Sequence, residues 1–151
     1  MQARYATMPR VRIELVRDAT SDYAEEAIRS AADVWHLLRD EMASWDRERF
    51  LTLLLDGRHK AIGLEEVSVG TATASLVHPR EVFKGIILAN AAAFILVHNH
   101  PSGDPTPSRE DREVTERLKK ASELMGIRLL DHIVFGREGF HSFAEAGELQ
   151  P

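Results

Sequence analysis

The segment His98-Asn99-His100-Pro101-Ser102-Gly103-Asp104-Pro105-Thr106-Pro107-Ser108-Arg109-Glu110-Asp111 concentrates side chains that can bind a divalent cation. His98 and His100 follow a short apolar run, Ala93-Phe94-Ile95-Leu96-Val97, of central-strand length. Side chains alternate along a strand, so residues two apart project from the same face and both imidazoles can address one ion. A helical pattern begins just past Pro107 and puts Asp111 in its first turn. The intervening Pro-, Ser- and Gly-rich loop can fold that turn back over the strand end. Two imidazole nitrogens and one carboxylate oxygen form a three-ligand set for zinc, with a fourth position left for water. The chain has no cysteine, so a metal must be held by nitrogen and oxygen, and disulfides are excluded.

Each of these residues also has a plainer reading. Ser108-x-x-Asp111 has the form of a capping box, in which Ser108 caps a helix and Asp111 reaches back to it. Ser108 can do this and still present its hydroxyl to a site. Asp104 suits a turn as well as a metal, and Ser102 with Gly103 suits a tight turn. Asn99 points away from its histidine neighbours and is expected to hydrogen-bond within the fold. Asp131-His132 lies inside an apolar pattern, Leu129–Val134, and a buried Asp needs partners. The pair either orients a ligand histidine or belongs to a structural network. Arg80 either meets a substrate carboxylate or ties down its own loop. His36 and His59 read as exposed, and His78 and His141 carry no assigned role.

The elements that must position these groups follow from periodicity. Val11–Val16 alternates and suggests a short edge strand in an N-terminal extension over residues 1–20, with the domain proper over 21–151. Ile28, Ala31, Trp35, Leu38 and Met42 recur at helical steps, with Ser21 or Asp22 as possible cap. Phe50–Leu55 is a buried-strand run closed by an Asp56-Gly57 turn. Strand-like runs follow at Ala61–Val69 and Thr71–Val77. Pro79 starts a helix with an apolar face at Val82, Phe83, Ile86 and Ile87. Val114, Leu118, Ala121 and Met125 share a helix face that Gly126 ends. Ile127–Phe135 and Phe140–Phe143 complete the strands. Interleaved strands and helices predict a single α/β domain with a mixed, curved sheet flanked by helices.

At 151 residues the chain suffices for one domain with a real core. No run approaches the ~20 apolar residues of a membrane span, and the N-terminus lacks the apolar stretch of a secretory signal. A cytoplasmic location is the expectation. A net charge of −5 disfavours nucleic-acid binding by the domain as a whole, though a local basic patch remains compatible with it. The sequence is silent on oligomeric state.

The spacing His98-x-His100, seven residues, Ser108, two residues, Asp111 matches the JAMM (MPN+) signature. The wording His98–Pro105 with Pro107-Ser108, together with Val77-His78-Pro79-Arg80-Glu81-Val82-Phe83 and Leu130-Asp131-His132, resembles the RadC branch, and the likeness runs from about Trp45 to Phe143. The resemblance implies a JAB/MPN fold, of cytidine-deaminase-like architecture, and a zinc-dependent hydrolase acting on a peptide or isopeptide bond of a peptide or protein substrate. It implies an upstream glutamate as general base and the motif serine, Ser108, as oxyanion partner. Glu48 has the order and separation of that glutamate, while Glu65 and Glu66 are rivals nearer in sequence. The branch carries a DNA-repair label, and many members have an N-terminal helix-hairpin-helix domain. Too few residues precede the matched region here to hold one. The alternatives are an inert or DNA-repair accessory module of the same fold, and a metal-dependent nuclease. The adjacent His-Asn-His triplet is not the dispersed HNH nuclease motif. The zinc deaminases need a Pro-Cys-x-x-Cys that this chain lacks.

Overall fold

The computed structural model of the chain describes residues 7–16, 26–70 and 77–150. Among these, the elements in chain order are α1 (Ala31–Met42), β1 (Arg49–Leu55), β2 (Ala61–Val69), α2 (Pro79–Leu88), β3 (Ala93–Asn99), α3 (Arg109–Met125), β4 (Arg128–Phe135) and β5 (Phe140–Ser142). The strands form one open sheet in the order β2-β1-β3-β4-β5. β1 runs antiparallel to β2 and β3, β3 runs parallel to β4, and β4 is antiparallel to β5. The predicted single α/β domain with a mixed sheet and flanking helices is what is found.

The apolar runs of β1 and β3 are continuous because both faces of the sheet are covered. On one face Leu51, Leu53, Leu55, Ile95 and Val97 pack under α1, which contributes Val34, Leu38 and Met42. On the other, Phe50, Leu54, Phe94 and Leu96 pack under α2 and α3, through Val82, Phe83, Ile86, Val114 and Leu118. Parallel β3 and β4 require a crossover, and α3 supplies it. The C-terminal end of β3 therefore opens onto the N-terminal turn of α3. Open α/β sheets bind ligands in such crevices outside the strand ends.

Several expectations are corrected. Val11–Val16 is exposed and forms no strand, because alternation confers an edge strand only where a neighbouring strand offers its free backbone groups. Helix α1 starts at Ala31 under a Ser30 capping box, with Ser30 Oγ accepting from the Asp33 amide. The proposed caps Ser21 and Asp22 lie outside the described residues, as does most of the Thr71–Val77 run. β3 extends one residue beyond His98, through Asn99. Pro79 does begin α2, but it is His78 that caps it, its Nδ1 accepting the Arg80 amide at 3.1 Å. Among the described residues, no helix is long and apolar enough to cross a membrane.

Candidate metal centre

His98 and His100 leave the end of β3 on the side of α3, as the two-residue period requires. Their Nε2 atoms lie 3.0 Å apart. Asp111, in the first turn of α3, closes the group: its Oδ1 is 3.2 Å from His98 Nε2 and its Oδ2 is 3.1 Å from His100 Nε2. Glu48, which directly precedes β1, completes the cluster. Its Oε1 is 3.5 Å from His98 Nε2 and 3.8 Å from His100 Nε2. The ligand atoms of all four residues lie within 4.8 Å of one another. Of the three glutamates weighed in the sequence, Glu48 is the one at the cluster. Glu66 instead pairs with Arg49 at 2.7 Å. Glu65 lies against Gly85 of α2.

Asp111 performs both jobs that its spacing allowed. Its Oδ2 accepts the Ser108 amide at 2.7 Å, while Ser108 Oγ accepts the Asp111 amide at 3.1 Å. The capping box thus fixes the carboxylate that faces the histidines. It also sits at the positive end of the α3 dipole, which favours the charged carboxylate. Burial pushes the Asp111 carboxyl up, but hydrogen bonding with His100 and His98 outweighs this and holds it well below the usual carboxylate range. The same contact with Asp111 raises His100 above the ordinary imidazole value.

The donor set fits a cation. His100 Nδ1 is 2.8 Å from the main-chain carbonyl oxygen of Asp104, which can only accept, so Nδ1 carries the proton. Nε2 is then the nitrogen turned to Asp111, where a cation would take the place of its proton. His98 engages His132 Nε2 through its own Nδ1 at 2.8 Å, which likewise leaves its Nε2 directed at the cluster. Two imidazole nitrogens and two carboxylates converge on one small volume. His, Glu and Asp side chains in this arrangement could bind a metal ion.

Neighbouring elements hold the group in place. Asn99, opposite in direction to the histidines, accepts the Arg49 amide at 2.8 Å through Oδ1 and donates to the Arg47 carbonyl at 3.1 Å through Nδ2. The Glu48 carbonyl meanwhile accepts the Gly70 amide at 2.7 Å. The backbone on both sides of Glu48 is therefore pinned. Gly103, at φ +90°, turns the loop back so that its amide donates to the His100 carbonyl at 2.9 Å. Asp104 makes the expected turn, its carboxylate accepting from the Thr106 amide and hydroxyl at 2.9 and 2.7 Å. The β4–β5 turn buttresses this loop, with the Arg137 amide donating to Gly103.

The Asp131-His132 pair divides its roles. Asp131 is structural: it accepts from Ser142 Oγ at 2.6 Å, the Ala144 amide at 2.9 Å and the His132 amide at 2.7 Å. His132 turns instead to His98. Arg80 is exposed at the start of α2, and His141 pairs with Glu148 at 2.9 Å. Two contributions had no signal in the sequence: the Asp104 carbonyl behind His100, and Thr115, whose Oγ1 lies 2.5 Å from His132 Nδ1. A cleft of about 640 Å³ runs beside His100, lined by Trp35, Arg39, Trp45 and Arg137 among others.

Residues 28–148 match the family described as the RadC-like JAB domain. A UPF0758 protein of Symbiobacterium thermophilum is 55% identical over 116 residues, covering 77% of this chain and 50% of the relative. One from Thermotoga maritima is 52% identical over 109 residues, covering 72% and 49%. A third, from Rubrobacter xylanophilus, is 52% identical over 122 residues, covering 81% and 53%. The chain spans about half the length of these curated relatives, and their names state no activity. With the match covering the sheet, all three helices and every residue of the metal cluster, the chain belongs to the RadC-like JAB domain family.

Proposed function

We propose that this domain is a zinc-dependent hydrolase that cleaves a peptide or isopeptide bond. His98, His100 and Asp111 would hold the ion. Two imidazoles and one carboxylate, without thiolate, form a ligand set used by catalytic zinc, and three protein ligands leave a position open. When bound, zinc supplies a Lewis acid that polarises a carbonyl and lowers the pKa of a water ligand to about 7.

The observation that carries the reading is the place of Glu48. Its carboxylate stands 3.5 Å from His98 Nε2 and within 4.8 Å of the Asp111 ligand atom, with its side chain 17% exposed and its backbone pinned. A carboxylate there can take a proton from the attacking water and deliver it to the departing amine. Ser108 contributes a donor. Its oxygen already accepts the Asp111 amide, so its own proton is free for an oxygen that gains negative charge. The cleft beside His100 gives an extended substrate room to approach.

The test is turnover of a panel of fluorogenic peptides and Lys-ε-linked isopeptides by the zinc-loaded chain, with Glu48→Gln alongside. The variant is expected to keep its zinc and lose activity by about 10²–10⁴-fold, the span of general acid–base catalysis. Turnover retained in Glu48→Gln would move the base to another group. The physiological substrate, and any role of further segments in longer relatives, belong to the same proposal.

A further inference from the structure

His132 is wholly buried, with its ring stacked on Phe143 at a centroid distance of 4.8 Å and set edgewise to Phe50 at 5.6 Å. Its ring nitrogens have two polar neighbours, one on each side. Nε2 meets Nδ1 of His98, and Nδ1 meets Oγ1 of Thr115. Thr115 lies one helical turn after Asp111, and its Oγ1 is 2.7 Å from the Asp111 carbonyl oxygen. A line of hydrogen bonds therefore joins one candidate metal ligand to the backbone of another.

The direction of that line is fixed from one end. The Asp111 carbonyl can only accept, so it takes the single proton of the Thr115 hydroxyl. Thr115 Oγ1 must then accept from His132 Nδ1–H. The ring lies wholly buried between Phe50 and Phe143, where a charged imidazolium is disfavoured, so its Nε2 accepts. That Nε2 can accept only from a protonated Nδ1 on His98. The other nitrogen of His98, Nε2, is the atom that faces His100, Asp111 and Glu48.

We propose that Thr115, acting through His132, is a positioning residue that locks His98 in the Nδ1–H tautomer and so holds its Nε2 open for metal. The proposal rests on the metal-centre reading above, and it assigns work to two residues that never touch the ion. Without the Thr115 hydroxyl, His132 Nδ1 loses its acceptor. The buried ring can then turn its proton to Nε2, which sets His98 Nε2–H as the matching tautomer and blocks the ligand atom.

Two measurements on the full chain test this. The first is the tautomer of His98 in the zinc-free protein, read from ¹⁵N-histidine two-bond NMR correlations. The second is zinc affinity by competition with a chromophoric chelator, for wild type, Thr115→Val and Thr115→Ser. Protonated Nδ1 is expected for wild-type His98, with a mixture of tautomers in Thr115→Val. That variant should bind zinc about ten- to a hundredfold more weakly, and Thr115→Ser should restore most of the loss. A wild-type His98 whose Nδ1 carries no proton overturns the proposal whether or not any variant folds. Thr115→Val binding zinc within about twofold of wild type, with an unchanged tautomer, overturns it too. Wild-type protein that binds no zinc overturns the metal-centre reading instead, while the His98 tautomer still decides the lock by itself.

Discussion

Asn99 crosses from β3 to β1 and grips the backbone on either side of Glu48, accepting from the Arg49 amide at 2.8 Å and donating to the Arg47 carbonyl at 3.1 Å. The residue between the two histidines of the cluster therefore fixes the backbone of the glutamate that faces them. Alternation along one strand sends His98 and His100 into the cluster and Asn99 to the backbone around Glu48. Asn99→Ala strands a part-buried amide and carbonyl, at a cost of about 1–3 kcal/mol. Zinc stoichiometry should be unchanged, since no ligand is lost, while kcat on a substrate found for the wild type falls at least about tenfold. A calorimetric zinc titration beside steady-state kinetics checks this. A variant that loses zinc and activity together would assign Asn99 to the metal and not to Glu48.

Ser108 has two roles that one pair of substitutions separates. Ser108→Ala removes the cap of α3 and should cost about 1 kcal/mol of stability, visible as a lowered Tm. Ser108→Asp still caps the helix but has no hydroxyl to donate. Thermal unfolding should place it near wild type, with turnover reduced by about 10²-fold, comparable to loss of one oxyanion donor. Near-normal turnover in Ser108→Asp would confine Ser108 to capping.

Gly136 lies where the β4–β5 turn meets the metal loop. A Cβ there would stand 2.5 Å from the Gly103 carbonyl oxygen and 2.7 Å from Pro105 Cδ. Neither neighbour is the end of a flexible side chain, so the loop that aims His100 must move. Gly136→Ala is expected to lower the unfolding free energy by about 1–3 kcal/mol, as overpacking does, and to weaken zinc binding. Urea unfolding and chelator competition measure the two effects. An unchanged zinc affinity would show that the loop position does not govern His100.

Glu65 tests the β2 edge of the sheet. Burial beneath α2 pushes its carboxyl above the ordinary range, against a partial offset from Lys84. For an acid whose folded pKa is raised, the ionised form is the disfavoured one. The penalty is present above the folded pKa and disappears as pH falls below the unfolded value. Glu65→Gln should therefore be more stable than wild type at pH 7, with the gain fading towards pH 4. Parallel melts across that range decide it; a variant less stable than wild type at pH 7 would mean that the charge has a favourable partner.

Much of the site was legible because its ligands are local. The strand alternation placed His98 and His100 together, and the Ser108-x-x-Asp111 spacing put Asp111 in the first turn of α3, where it caps and faces the cluster at once. Glu48 was different: fifty residues separate it from His98, and only family resemblance singled it out from Glu65 and Glu66. Its place depends on Phe50 lying opposite His98 in the β1–β3 register, which no single-strand pattern encodes. Thr115 and His132 were out of reach for the same reason, since α3 and β4 meet only after the crossover folds. The Val11–Val16 strand failed in the other direction. Its alternation is real, but a strand needs a neighbour, and among the described residues it has none. The Ser30 cap is masked by Ile28, whose helical spacing suggests an earlier start than the backbone takes.

The most direct test is metal analysis of the gently purified chain by inductively coupled plasma mass spectrometry, with His98→Ala and Asp111→Ala prepared in parallel. Near-stoichiometric zinc in wild type and its loss in both variants is the predicted result. A wild-type chain without zinc that also takes none up from solution, or either variant with full zinc, would end the account.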